Sequence, residues 1–355
     1  MVNIIHYFGG GNTARGFIPF YKNIFCGIDK VYILKNGSNR YKTKVLEKLS
    51  NQYSILYNVE VINSGVDNAE IEAIKVPDLD IAIINGNLIH GNNIEIEKGV
   101  KIEIDLFKAM DLNIINNNRD KLEVLKNKIF ENLNSTYKSF ENALKIHDKL
   151  EELYYKNMDF SKADKAIKEL IKKLVNKSKK SKGNVYHRYL GAATPEGAVD
   201  FVPNITEGVK RYFLKGRAGT GKSTILKQIA KKAEENGFTV EVYHCGFDPQ
   251  SLDMVVVREL NFAIFDSTPP HEYYPSREDD EVFDTYKEFC IKDVDKIFEK
   301  EIESITKEYK EYKVQAINFL KVAKEYKDKY DDIYDKAINE KEANLIINRC
   351  LPYIK

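Results

Sequence analysis

Apolar positions along the chain have two textures. Short blocks such as LDIAIIN (79–85), RYFL (211–214), FTVEVYH (238–244) and LNFAIFD (260–266) concentrate β-branched and aromatic residues and end at polar or turn-forming positions, as buried strands do. Between them lie long, strongly charged stretches, about 106–176 and 282–350, with apolar residues every three or four positions. Leu144, Ile146, Leu150 and Leu153 show this spacing in the first stretch, and Ile317, Phe319, Leu320 and Tyr326 in the second. Both stretches predict long helices or helical hairpins.

The textures recur. A shift of 181 places residues 58–91 on 239–272 without a gap, with Val59, Glu60, Val61, Gly65, Asp67, Leu79, Ala82, Ile83 and His90 on identical residues. The same shift matches His6, Gly10, Thr13, Gly16, Phe20 and Gly27 to His187, Gly191, Thr194, Gly197, Phe201 and Gly208. A shift of 180 pairs KVYILKNGSNRYKT (30–43) with KRYFLKGRAGTGKS (210–223), so a single-residue gap reconciles the blocks. The chain therefore reads as two copies, residues 1–176 and 185–355, each ending in a helical extension and joined by a polar, basic linker at 177–184.

Chemistry is concentrated in the second copy. After the strand RYFL, the loop Gly216-Arg217-Ala218-Gly219-Thr220-Gly221-Lys222-Ser223 fits GxxxxGK[ST] in full, and a helix from Thr224 to Glu235 follows, closed by Asn236-Gly237. Glycines let successive amides face a phosphate, and the helix N-terminus adds its dipole. In this Walker A reading Lys222 reaches the β- and γ-phosphates and the Ser223 hydroxyl ligates Mg²⁺. Asp266, at the end of LNFAIFD, occupies the Walker B position and supports the same ion through water. His271 or Glu272 is a candidate for positioning water, and a hydrogen-bonded structural histidine is the alternative. Asp248, Asp253 and the acidic run 278–281 border the same strand ends. Ser267, not Glu, follows Asp266, so the residue that activates water is not evident, and Arg188, Arg211, Arg217, Arg258 and Arg277 are equal candidates for a transition-state arginine. His244-Cys245 offers only two adjacent metal ligands, too few for a zinc or iron site.

The first copy has lost parts of this set. Its loop, Asn36-Gly37-Ser38-Asn39-Arg40-Tyr41-Lys42-Thr43, keeps the lysine and threonine but places Asn36 and Tyr41 where Gly216 and Gly221 stand, and Asn85 replaces Asp266. It reads as a degenerate nucleotide domain, weakly binding or structural; binding of a different anion through Lys42 and Thr43 is the alternative.

Composition narrows the rest. Lys plus Arg number 55 against 54 for Asp plus Glu, a net charge of +1, so no global field attracts nucleic acid or an anionic membrane. No long apolar run or signal pattern is present, and Cys26, Cys245, Cys290 and Cys350 form no CxxC pair, which together suggest a reducing cytoplasm. The charged helical extensions read most simply as solvated faces, with a protein partner as the alternative.

In GNTARGF (11–17), the two loop blocks, HCGFDPQSLD (244–253) and AIFDSTPPH (263–271), the chain resembles an uncharacterised family of bacterial tandem P-loop ATPases described as nucleotide-kinase-like. The resemblance spans nearly the whole chain and implies ATP binding without naming a substrate. The first loop is often intact in that family, so Asn36 and Tyr41 are departures. The combined expectation is an α/β protein of two tandem P-loop NTPase domains, each with a parallel sheet in three α/β/α layers and a helical C-terminal extension. Mg²⁺-dependent ATP binding and hydrolysis in the second domain would couple to interdomain or partner rearrangement. A small-molecule or nucleotide kinase, and a nucleotide-regulated scaffold, are the alternatives.

Overall fold

The computed structural model describes residues 4–87 and 99–351. The first copy contributes strands β1 (Ile4–Phe8), β2 (Gly10–Thr13), β3 (Gly16–Pro19), β4 (Lys30–Lys35), β5 (Val59–Asn63), β6 (Ile71–Val76), β7 (Ile81–Asn85) and β8 (Val100–Asp105). Its helices are α1 (Tyr21–Ile24), α2 (Asn39–Tyr53), α3 (Leu112–Asn117), α4 (Arg119–Tyr155) and α5 (Phe160–Leu174). The second copy repeats the order with β9 (Val185–Tyr189), β10 (Gly191–Thr194), β11 (Gly197–Asp200), β12 (Lys210–Lys215), β13 (Val240–His244), β14 (Leu252–Val257), β15 (Phe262–Asp266) and β16 (Glu281–Asp284). Its helices are α6 (Val202–Ile205), α7 (Lys222–Glu235), α8 (Thr285–Phe289), α9 (Val294–Ile297), α10 (Glu299–Ala337) and α11 (Glu340–Cys350).

The chain is α/β, but its sheet is mixed and continuous. Twelve strands run in the order β16-β12-β15-β14-β13-β9-β1-β5-β6-β7-β4-β8, so the two copies form one sheet joined where β1 meets β9. Within each half the outer strands are parallel, while β6 and β14 lie antiparallel to both neighbours. This corrects the expected all-parallel sheets. The segments joining β14 to its neighbours, 245–251 and 258–261, are too short for the crossover of a dozen or more residues that a parallel connection requires. Asn261 and its counterpart Asp80 make the tighter turn in left-handed geometry, at φ 56° and 52°.

A pseudo-two-fold axis relates the halves, and residues that are each other's counterparts touch across it. Phe8 pairs with Tyr189 at the β1–β9 seam, Asn12 Nδ2 donates to the Ala193 carbonyl, and Thr136 Oγ1 donates to the Ala316 carbonyl. Contacts away from the axis come in reciprocal pairs: the His6 amide donates to Asn204 Oδ1 at 2.8 Å and the His187 amide to Asn23 Oδ1 at 2.5 Å. One apolar core, including Tyr7, Ile24, Ile62, Leu190, Phe213 and Tyr243, runs under both halves.

The helical extensions cross over. The long helices α4 and α10 pack antiparallel through Leu133, Phe140, Ala316 and Leu320. Beyond them, α5 buries Ala163, Ile167, Leu170 and Leu174 against α7 and the strands of the second half. Reciprocally, α11 buries Ala343 and Ile347 in the core of the first half. Each extension thus covers the other copy. The same cap starts both terminal helices, with Asp159 Oδ1 accepting from the Lys162 amide and Asn339 Oδ1 from the Glu342 amide.

Candidate functional site

The C-terminal ends of β9, β12, β13, β15 and β16 gather on one edge of the second half, and the 216–223 loop leaves β12 there. Its glycines are needed for backbone geometry. Gly216, Gly219 and Gly221 have φ of 144°, 71° and 87°, conformations that side chains resist. At Gly216 space is short as well, since a Cβ would lie 2.2 Å from Thr285 Oγ1. Gly221 precedes α7 and supplies no side-chain cap. Among the described residues, the amides of Gly219, Gly221, Lys222, Ser223 and Thr224 meet no acceptor from elsewhere in the chain. A turn of unsatisfied amides at a helix N-terminus is an anion cradle.

Lys222 Nζ donates to the Arg217 carbonyl at 2.8 Å and lies 3.6 Å from Asp266 Oδ2, so β15 delivers its terminal carboxylate to the loop. Asp266 Oδ1 accepts from the amide and hydroxyl of Thr268 at 3.0 and 2.6 Å, which fixes the carboxylate. Ser223 Oγ accepts from the Leu252 amide at 3.0 Å, and Thr220 Oγ1 lies 2.6 Å from Thr285 Oγ1. The donor set suits a Mg²⁺-bound polyphosphate: amides and an ammonium for phosphate oxygens, with a hydroxyl and a carboxylate for a hard cation.

Other expected residues separate from this group. His271 Nδ1 meets Asp200 Oδ2 at 2.7 Å, and Tyr273 donates to Asp200 Oδ1 at 2.6 Å. Burial disfavours the charged imidazole, but the Asp200 bond and the nearby carboxylates of Asp253 and Asp266 outweigh it and raise the His271 pKa. Its matching residue, His90, lies outside the described residues. Asp280 binds Arg211, and Glu281 pairs with Lys210 and Lys173 four residues back from the loop in the β12–β16 register. His244 and Cys245 diverge, His244 toward His187 and Cys245 toward Asp253. The arginines are engaged: Arg188 between Glu60 and Glu241, Arg258 on Glu241, Arg217 on Asp295 and Arg277 on the carbonyls of Thr206 and Val209.

A roof that no local sequence signal marks covers this loop. Helix α4, from the first copy, lays its C-terminal part over the loop, and a Cβ on Gly219 would lie 2.3 Å from the Glu151 carbonyl oxygen. His147, Asp148 and Glu151 bring ligating atoms within 4.8 Å of one another there. Burial, then the charges of Lys222 and Lys313, push the His147 imidazole down to about 4, so it is neutral. Burial and Asp266 push Asp253 up to about 6 against the opposing pull of His271. The signal of these positions in the sequence is the repeat carried into the helices, where a shift of 180 sets His147, Asp148 and Glu151 beside Lys327, Asp328 and Asp331.

At the first half the same fold makes a closed site. Without glycines at the positions of Gly219 and Gly221, the backbone winds into helix three residues earlier, so α2 begins at Asn39 and Ser38 Oγ accepts from the Tyr41 amide. Acidic residues of α10 cover this turn. Arg40 binds Asp328, Asp332 and Asp335 at 3.2, 2.6 and 2.8 Å; Ser38 bonds Asp335, and Asn39 donates to Asp331 at 3.2 Å. Lys327 is buried among Glu70, Asp331 and Asp67. Lys42 is fully buried and its Nζ has no hydrogen-bond partner. Burial, partly offset by Asp331 and Glu70, pushes its pKa down to about 7. Asn85, in place of Asp266, turns its amide to Asn39 at 3.2 Å.

No protein-family model, curated protein or solved structure matches the chain. No described helix is long and apolar enough to cross a membrane.

Proposed function

We propose that the second half binds a magnesium nucleoside triphosphate, ATP in the first instance, through residues 216–224 and hydrolyses it. The observation that carries this reading is the set of unpaired amides at Gly219 and 221–224, set against Lys222 and Asp266, in a molecule whose sister loop winds into helix three residues earlier beneath the acids of α10. In this reading the second half is a P-loop NTPase unit and the first its degenerate copy. Lys222 leaves the Arg217 carbonyl for phosphate oxygens, and Ser223 and Asp266 hold Mg²⁺. That ion, when bound, neutralises charge on the transferring phosphoryl group. His271, held by Asp200, takes the structural role rather than acting on the nucleotide. The shared sheet and core favour movement of α4 against the loop over movement of one half against the other, because Gly219 rests on the Glu151 backbone.

Fluorescence titration with a labelled ATP tests the assignment in Lys222→Ala and Lys42→Ala proteins. Only Lys222→Ala is expected to abolish Mg²⁺-dependent binding; equal losses would contradict a single working site. The buried carboxylate of Asp253 supports a second reading, a small-molecule kinase in which it accepts the acceptor hydroxyl proton. Phosphate transfer to an added acceptor faster than to water would favour that reading.

A further inference from the structure

The tip of the β2–β3 hairpin, a first-copy element, reaches across to the loop after β13 in the second half. The Ala14 amide donates to the Phe247 carbonyl at 2.9 Å, Arg15 Nε donates to Asp248 Oδ1 at 2.8 Å, and an Arg15 terminal nitrogen donates to Gln250 Oε1 at 3.0 Å. All three acceptors lie on the loop after β13, at the strand edge that carries the 216–223 loop. Asp248 bears electrostatically on His147 and Glu151, and Lys222 bears on the same two residues, so the hairpin tip, the α4 roof and the loop lysine form one charged neighbourhood.

The other half supplies an internal control. The counterpart of Arg15, 181 residues on, is Glu196, whose carboxylate accepts from Asn68 Nδ2 at 2.8 Å on the loop after β5. An arginine therefore docks on the half that carries the glycine loop and Asp266, and an acid on the half whose loop is covered by the acids of α10. Arg188 and Arg211 are held in buried ion pairs. The Arg15 side chain, by contrast, is 41% exposed and its partners sit on a surface loop, so, like Arg217 on Asp295, it can change partner without breaking a buried ion pair.

We propose that Arg15 contacts the terminal phosphate of a nucleotide held by the 216–223 loop, so that the second-half site is incomplete without the first copy. The proposal rests on the phosphate-loop reading above. A guanidinium that already donates to two oxygen acceptors can turn the same fork to two phosphate oxygens, and leaving Asp248 for phosphate exchanges one anionic partner for another. In the hydrolytic step the water oxygen bonds to the terminal phosphorus, and the bond to the bridging oxygen breaks with its electron pair leaving on the diphosphate. One water proton stays on the phosphate product and the other passes to solvent. Arg15 meets the charge that gathers on the phosphoryl oxygens between these events.

The test compares the full-length wild type with Arg15→Ala, Arg15→Lys and Glu196→Ala. Each is measured for Mg-ATP affinity, kcat, trapping of ADP with aluminium fluoride, and thermal midpoint. Arg15→Ala is expected to bind ATP within about 3-fold of wild type but to lose about 10³-fold in kcat and to fail to form the trapped complex. Arg15→Lys should recover little, because a point charge does not replace the fork, and Glu196→Ala should turn over like wild type. Wild-type kcat in Arg15→Ala overturns the proposal. Parallel falls in affinity, kcat and thermal midpoint also overturn it, since they mark Arg15 as a structural latch, as does a wild type that binds ATP without turning it over. A wild type that does not bind Mg-ATP removes the phosphate-loop reading itself, an outcome the affinity measurement separates from the others.

Discussion

At the scale of single residues, the two equivalent lysines show how surroundings set chemistry. Lys222 has a carbonyl and a carboxylate within reach, whereas Lys42 has no hydrogen-bond partner for a fully buried amine. The folded chain loses the Lys42 proton at about 7, against an ordinary value of 10.5. Between these values the unfolded chain binds the extra proton, so stability rises with pH across that window; below about 7 both states are protonated and the penalty is constant. Lys42→Met should therefore be at least as stable as wild type at neutral pH and should flatten this alkaline rise, as read from urea midpoints at several pH values. Lys327 is the opposite case. It compensates Glu70, Asp331 and Asp67, and Lys327→Met, by leaving buried acids unpaired, should cost about 3–5 kcal/mol in the same measurement.

At the scale of elements, the question is how a loop communicates with the helix above it. Gly219 and Gly221 both need left-handed backbone, but only at Gly219 would a Cβ strike α4; at Gly221 the nearest atom is Met158 Cε at 3.6 Å. Each alanine substitution carries about 1–3 kcal/mol of backbone strain. Gly219→Ala should cost more than Gly221→Ala in chemical denaturation, and the excess measures how firmly α4 is seated. The loop was legible in the sequence because glycine spacing and flanking structure are local. The roof was not, because it depends on where a helix more than sixty residues earlier in the chain is delivered. The antiparallel β14 was hidden for a different reason: its apolar run reads like any buried strand, and only the short segments on either side fix its direction.

At the scale of the whole molecule, the duplication was legible from residue identities alone, but the way the copies share structure was not. A boundary at residue 176 follows the repeat, yet α5, which precedes it, belongs to the packing of the second half. Ile167, Leu170 and Leu174 each contribute about 1.5–3 kcal/mol when buried. Residues 185–355 expressed alone lack that cover and should be poorly soluble, while co-expression with residues 1–184 should restore a soluble complex. The continuous sheet and common core further predict one unfolding transition, with near-UV and far-UV circular dichroism changing together. Two separated transitions would mean that the halves fold independently.

The linker illustrates what a shared chain permits. It does not bridge the halves, because α4 and α5 have already carried the chain across. Lys179 and Lys177 bond to Asn236 at the end of α7, close to where β9 begins. A homodimer of half-length chains with exchanged arms could make the same contacts. In such a dimer every residue appears at both sites, so a glycine that opens one loop opens both, and an acid that fills one fills both. Covalent union releases that constraint: one loop can keep its glycines beside Asp266 with Arg15 nearby, while the other uses the side chains of Ser38, Asn39 and Arg40 as the anchor for α10.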